Sequence, residues 1–388
     1  MDHTFDALVV GAGYAGSVCA RQLAESGKQV LVLERRNHIA GNAYDRLDGA
    51  GVLIHQYGPH IFHTNNKRVF DWLSRFTFWR DYQHRVLANL PDGQGGRQTY
   101  PVPFNLTSLE TAFGPAEGAR LGEKLIAAYG AEKKVTILEL RQARDPEIAA
   151  LADYVYEHVF VHYTMKQWGQ TPEKIDPNTT ARVPIFLSRD DRYFQDTYQG
   201  MPLEGYTAMF QRMLDHPGIT VELGTDALKR LDLSGGQIRL DGTEFPGPVI
   251  YTGQADELFD FHFGPLPYRT LDFQFETLEQ DDFQGCGTVN YTVDEDYTRI
   301  TEFKHLTGQV RPGITTIVKE YSRAFTGTPG ETPYYAIINP ENDRQYAQYQ
   351  AEANRFPNLY LLGRLAEYKY YNMDAIAARA LELAEQLI

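Results

Sequence analysis

The spacing of apolar residues along this chain switches between strand and helix periods, and the switches mark its units. Residues 7–10 (ALVV) are a short apolar run with β-branched members, which predicts a buried strand. Residues 14–26 then carry Ala15, Val18, Cys19 and Leu23 at helical spacing, and Gly27 stops the helix. Residues 30–33 (VLVL) predict a second strand, with Glu34 at its carboxyl end. From 65 to 80, Val69, Phe70, Trp72, Leu73 and Phe76 predict a helix leading out of this unit. Residues 81–100 read as a hairpin, with Pro91-Asp92-Gly93 and Gly95-Gly96 at its turn. From 101 to 167 the pattern is almost entirely helical, in pieces at 108–113, 116–130, 136–144 and 146–161. A helix from Tyr206 to Leu214, a strand at 219–223 and another at 249–253 follow. Residues 266–276, 286–291, 299–303 and 315–321 alternate and predict an antiparallel sheet. The chain closes with a strand at 358–364 and a helix from Met373 or Asp374 onward.

Between the first strand and helix stands Gly11-Ala12-Gly13-Tyr14-Ala15-Gly16, the G-x-G-x-x-G pattern. Gly11 permits the tight turn, Gly13 lets backbone approach a pyrophosphate, and Gly16 lets helix and strand pack closely. The helix N-terminus offers unpaired N–H groups and a positive dipole end to phosphate. Glu34 stands about 20 residues on, where a carboxylate accepts from a ribose. Alone the glycine pattern is weak; with strand, helix, second strand and terminal acid in register it predicts dinucleotide binding. Arg35 after the acid, and Ala40-Gly41 in the place of a glycine pair, tilt the reading from NAD to FAD. No second G-x-G-x-x-G follows, so no separate nicotinamide domain is expected.

Composition narrows the partners. A length of 388 residues implies two or three domains. A net charge of -14 argues against nucleic acid or an anionic membrane as the main partner. No apolar run reaches transmembrane length, and the first apolar run is the nucleotide-binding strand itself, so neither a membrane span nor a signal peptide is expected. Cys19 and Cys286 form no metal or redox spacing, which fits a reducing cytoplasm. His60 and His63, in GPHIFHT, have no Cys, His or acid nearby to complete a ligand set, so no metal is expected. They read either as packed core histidines or as a loop carrying histidine and backbone groups to a flavin ring. The 25 tyrosines, many interleaved with Arg and Asp in the second half, suggest a lined cleft; extra aromatic core is the plainer alternative.

Taken together, GAGYAG with Glu34, YGPHIFHT, YTMKQWG, ARVP, DDRYFQDTYQGMP, LPYRTLDFQFE, YTRITEFKH and LLGRLAEYKYYNMD resemble the bacterial UDP-galactopyranose mutase family over essentially the whole chain. The resemblance implies a reversible interconversion of UDP-galactopyranose and UDP-galactofuranose by reduced FAD. Flavin N5 would act as nucleophile on the anomeric carbon, with no net redox change. It implies that Arg182 and Arg299 clamp the diphosphate, a task suited to arginine's bidentate fork. Tyr193, Tyr335 and Tyr370 would hydrogen-bond the same phosphates; Tyr334 adjoins Tyr335 and competes with it for the role. Phe160, Tyr163, Thr164 and Trp168 match the uridine-binding stretch, and Arg269 and Asn290 fall at the substrate cleft. Asn372 stands where several members carry Asp. His63 is expected among the catalytic groups. The expected flavin contacts are Gly11, Ala12, Gly13, Ala15, Gly16, Glu34, Arg35, Gly41, Asn42, His60, Ile61, His63, Gly224, Thr225, Gly363, Arg364, Tyr370, Asn372 and Met373. Residues 182–194 resemble the family's mobile lid.

The expected fold is α/β. A discontinuous Rossmann-like FAD-binding domain takes 1–68, 205–252 and 340–388. An inserted helical domain takes 78–167, and an antiparallel β-sheet substrate domain takes 168–204 and 253–339. The resemblance also implies a cytoplasmic homodimer and an external reductant such as a reduced nicotinamide. Two rivals share parts of the pattern. One is an FAD oxidase of the amine-oxidase type, which would need an apolar channel rather than this Arg- and Tyr-rich middle. The other is a non-catalytic nucleotide-sugar binder.

Overall fold

The computed structural model describes residues 5–92, 95–169 and 184–388, with Tyr163 and Trp168 described in backbone only. A five-stranded parallel sheet lies at its centre, in the order Ile219–Glu222, Val30–Leu33 (β2), Ala7–Val10 (β1), Val249–Tyr251 and Leu359–Leu361. Strand alternation sends Ala7 and Val9 to one face and Leu8 to the other. On the first face β1 meets the helix Tyr14–Glu25 (α1), with Val18, Cys19 and Leu23 fully buried against Ala380 and Leu383 of the closing helix Met373–Leu387. Each large aliphatic side chain removed from water there contributes roughly 1.5–3 kcal/mol. On the second face Leu8, Leu31 and Leu33 pack against Ile238 and Phe245 beside a small three-stranded sheet. Burial on both faces explains why β1 and β2 read as unbroken apolar runs.

Above this layer a seven-stranded sheet runs from Tyr335–Ala336 through Tyr268–Leu278, Thr315–Ala324, Arg299–Glu302 and Thr288–Tyr291 to Val86–Pro91 and Arg97–Val102. The predicted hairpin, assigned to the start of the 78–167 insert, is thus part of this sheet. Its first strand pairs parallel to Thr288–Tyr291, so the sheet is mixed rather than antiparallel throughout. Pro184–Phe186, placed by the sequence reading in the substrate unit, pairs instead with Lys134–Thr136 and Phe104–Asn105 of the insert.

The helix expected over 65–80 is shorter, Lys67–Leu73. Asn66 caps its start by accepting from the Val69 N–H, and Ser74 ends it, its hydroxyl donating to Phe70 O at 2.6 Å. Trp79–Asp81 then becomes a strand beside Tyr198–Pro202, which also pairs with Phe62–Thr64. In the insert, Pro146–Val155 runs into a π-wound segment, Tyr156–Val161, and on into the helix His162–Trp168. Wider winding disturbs the backbone ladder. The Thr292 hydroxyl, itself buried, donates to the carbonyl of His158 at 2.7 Å inside that segment.

Candidate active site

A cleft of about 1240 Å³, counting its open mouth, lies at the carboxyl ends of β1 and β2. Gly11, Gly13, Ala15, Glu34, Arg35, Gly41, Asn42, His60, Thr225, Gly363, Arg364 and Met373 all line it. The glycine pattern is required by contact. A Cβ on Gly16 would sit 1.9 Å from the carbonyl oxygen of Gly11, and one on Gly11 2.1 Å from Thr252 Oγ1. A Cβ on Gly41 would come 2.9 Å from Gly13 Cα, so the approach of these two backbones bars a side chain at Gly41, while one on Gly13 would meet Gly41 Cα at an ordinary 3.6 Å. Ala40 stands in the left-handed region at φ 71, the conformation for which glycine is the default.

Glu34 is buried, with its Oε2 accepting from Ala12 N–H and its Oε1 from Arg36 N–H, both at 2.8 Å. Ala12 is therefore held behind the cleft wall by its amide. Gly13 begins α1 with no side-chain cap, leaving the first-turn N–H groups to a bound phosphate. Gly224 and Thr225 donate their N–H groups to the carbonyls of Arg36 and Glu34. Arg35 is turned outward in an ion pair with Glu257 at 2.6 Å. Gly16 and Ile61 lie behind the wall, Ile61 packed on the sheet core. At the far end Arg364 Nε donates to Tyr371 O at 2.7 Å and its guanidinium lies 4.5 Å over the Tyr370 ring. Asn372 precedes the closing helix without a side-chain cap bond, so that helix start also faces the cleft with its positive end.

The two histidines of GPHIFHT separate. His60 lines the cleft, and burial, with His55 as the next cause, pushes its pKa down to about 3, so it is neutral. His63 turns away, pairing through Nδ1 with Asp196 at 3.0 Å and stacking on Phe194 at 3.5 Å. The hydrogen bond from His63 is the main cause holding the Asp196 carboxyl below its usual range. Among the described residues the group whose ligand atoms converge is elsewhere: Asp282, Glu302 and His305. There the buried Glu302 already accepts from Phe283 N–H, Gln284 N–H and the Thr315 hydroxyl.

The expected substrate residues gather in part. Tyr335 and Tyr370 stack, ring centroids 6.1 Å apart and 15° from parallel. Tyr334 is buried against Phe273, which leaves Tyr335 as the tyrosine of that pair facing Tyr370. Arg299 Nε donates to Glu320 Oε1 at 2.7 Å, and Glu320 is fully buried. Burial also pushes the neighbouring His84 down to about 3, with the Arg299 charge as the next cause. Tyr193 N–H donates to His84 O at 2.7 Å. Asn290 is buried on its strand, its backbone opposite Arg299. Phe160 is enclosed in the insert core beside Tyr156, so its ring offers no open stacking face, and Thr164 is buried nearby. Arg269 reaches a helix end rather than the cleft, donating to the carbonyls of Lys166 and Gln167. Arg182 and the side chains of Tyr163 and Trp168 lie outside the described residues.

The expected lid at 182–194 is anchored in its described part. Besides the strand Pro184–Phe186, Arg189 pairs with Glu110, and Asn105 Nδ2 donates to Asp191 Oδ1 at 2.7 Å. Sequence reasoning missed Tyr14, Thr252 and Tyr371, which also line the cleft, and Glu320. Thr252 lies near the carboxyl end of the strand expected over 249–253, just past the observed Val249–Tyr251, and was legible as that end; a single acid in a strand carries no such signal.

The family model for UDP-galactopyranose mutase matches residues 158–370, and one for an NAD(P)-binding Rossmann-like domain matches 9–76. UDP-galactopyranose mutase of Mycoplasma pneumoniae is 37% identical over 99% of this chain and 96% of its own length. The chain belongs to the UDP-galactopyranose mutase family. The dTDP-fucopyranose mutase of Escherichia coli is 34% identical over 98% of both chains. A crystal structure of reduced UDP-galactopyranose mutase superposes with a TM-score of 0.71 at 16% identity, covering 99% of this chain and 93% of that one. Membership makes the protein an FAD-dependent isomerase, and the cleft at β1 and β2 fits the flavin dinucleotide. Among the described residues no helix is long and apolar enough to cross a membrane.

Proposed function

We propose that this mutase-family protein interconverts UDP-galactopyranose and UDP-galactofuranose on reduced FAD. The observation that carries the reading is the joining of two sites: the Glu34 and glycine cleft runs to Arg364, whose guanidinium lies over the Tyr370 ring, and Tyr370 stacks on Tyr335 of the seven-stranded sheet. When bound and reduced, the flavin supplies a nucleophilic nitrogen, N5, to the anomeric carbon, and its electrons are not consumed. The chain's residues do the rest. Arg299, oriented by Glu320, and Arg182 hold the diphosphate as it departs and until it returns to the same carbon. Tyr193, Tyr335 and Tyr370 donate to the phosphate oxygens. The helix through Thr164 and Trp168 holds the nucleoside end. His60, neutral beside the cleft, serves as a hydrogen-bonding group to the flavin rather than a charged one. An external reductant, a cytoplasmic site of action and a homodimeric assembly belong to the same reading.

The test is chromatography of UDP-galactofuranose incubated with the dithionite-reduced protein, the air-oxidised protein and buffer. Conversion to UDP-galactopyranose by the reduced form alone, with no reductant spent per turnover, is expected. Equal conversion by the oxidised form would overturn the role of the reduced cofactor. The Escherichia coli relative makes dTDP-fucopyranose the one rival substrate to include. A higher kcat/KM on it would move the substrate assignment while leaving the family standing.

A further inference from the structure

Arg269 is a buried guanidinium, 8% exposed, and among the described residues no carboxylate pairs with it. Burial alone lowers its pKa. Its donors are spent on the end of a helix. Nε donates to Gln167 O at 3.2 Å, and Nη2 donates to Lys166 O at 3.0 Å and to Ser322 Oγ at 3.1 Å. Ser322 in turn donates to Gln167 O at 2.8 Å. These carbonyls belong to the last turn of His162–Trp168, where a helix carries orphan acceptors and its negative dipole end. The next residue, Gly169, has φ +65, and a Cβ on it would stand 2.7 Å from Arg269 Nη1. Glycine is therefore favoured there twice, by backbone conformation and by the guanidinium. A second tie lies three strands further along the same sheet, where Lys166 Nζ donates to Tyr291 O at 2.8 Å.

The backbone of Arg269 does something different. It pairs across the sheet with Tyr335, and its carbonyl accepts from Tyr334 N–H at 2.9 Å. One residue therefore grips the helix assigned to the nucleoside with its side chain and the strand assigned to the diphosphate with its main chain. A planar fork reaching two carbonyls and a hydroxyl fixes direction as well as distance, which a lysine ammonium does not.

We infer that Arg269 is a positioning residue. It sets the separation and orientation of the nucleoside and diphosphate ends of the substrate cleft without touching substrate. The inference rests on the nucleotide-sugar reading of residues 160–168. It predicts a split between binding and turnover. Arg269→Lys and Arg269→Met should raise KM for the UDP-sugar and the Kd of UDP about tenfold or more. They should change kcat by no more than about threefold, because the reacting carbon and flavin are held by other groups.

The experiment combines two readouts on the FAD-loaded protein. Hydrogen exchange without nucleotide should quicken at 162–169 in Arg269→Met while Arg299–Glu302 stays as protected as in the parent. UDP titration and steady-state kinetics then follow on Arg269→Lys, Arg269→Met and the gentler Ser322→Ala. Ser322→Ala should shift KM in the same direction by less, and its effect should shrink when Arg269 is already Met. Should Arg269→Met fail to fold, Ser322→Ala and Arg269→Lys carry the same comparison. Unchanged exchange at 162–169, or loosened exchange with unchanged UDP affinity, would overturn the positioning role. A fall in kcat larger than the rise in KM would overturn it in favour of direct contact. Failure of the parent protein itself to bind UDP would instead count against the nucleotide-sugar reading.

Discussion

The two halves of the cleft are built by opposite means. On the flavin side the backbone does the recognition: Gly11, Gly16 and Gly41 clear space, and the amides at the start of α1 carry no side-chain cap. On the proposed substrate side the candidates are side chains from distant strands and loops, such as Arg299, Tyr335 and Tyr370. A backbone-built site is intolerant of any added atom but indifferent to most side-chain chemistry. A side-chain-built site is the reverse: it folds around substitutions and loses function one contact at a time.

The largest expected effect breaks the backbone side. Gly16→Val places a branched Cβ 1.9 Å from a carbonyl oxygen that cannot move without β1, at a cost of about 3 kcal/mol or more. Flavin absorbance of the purified protein should fall to a trace. Retention of stoichiometric FAD would show the contact to be relaxed easily. A smaller effect tests the other side. Glu320→Gln keeps shape but leaves the Arg299 charge without its buried partner, a loss of about 2–5 kcal/mol in a desolvated pair. Part of Arg299 remains solvent-accessible, so the low end of that range, roughly 30-fold in kcat/KM, is expected. Flavin content should be normal in the same preparation; joint loss of flavin and activity would erase the contrast. The smallest effect runs the other way. Ala40→Gly removes left-handed strain worth about 1–2 kcal/mol and adds about 0.5–1 kcal/mol of chain entropy. A urea midpoint should therefore rise by the equivalent of about 0.5–1 kcal/mol, and a fall would mean that Ala40's methyl packs better than its conformation costs.

This contrast also explains what could be read in advance. The strand, glycine turn, helix and acid at 7–34 are contiguous, so period and motif identified them nearly residue for residue. The helix after Asn65 was overextended because Phe76 and Trp79 keep an apolar rhythm, whereas Ser74 and pairing with Tyr198–Pro202 decide the end. The mixed pairing of Val86–Pro91 with Thr288–Tyr291 joins residues some 200 positions apart, and local pattern holds no record of it. Glu320 and the true employment of Arg269 were hidden for the same reason. Each is defined by a partner on another strand or helix, and a charged residue in an alternating strand looks like solvent-facing polarity until burial is known. Two histidines at i and i+3 look equivalent on paper, while the strand Phe62–Thr64 points only His63 at Asp196.

The π-wound segment Tyr156–Val161 has a consequence for how this chain can change over generations. Each residue of a helix advances its azimuth by about 100°, so the wider winding acts as a phase shifter between two rigid rods. Upstream, Leu151 and Val155 face the insert core; downstream, Lys166 and Gln167 meet Tyr291 and Arg269 on the sheet. Losing or gaining one codon between 156 and 161 would rotate the downstream rod by roughly that angle. Lys166 and the Gln167 carbonyl would then point away from their anchors, though every residue that made the contacts was still present. Surface loops elsewhere can lengthen at small cost, since each doubling adds only about 0.6 kcal/mol of closure entropy. Here the length itself is heritable information, and a single-residue deletion is predicted to be more damaging than most substitutions within the same six positions.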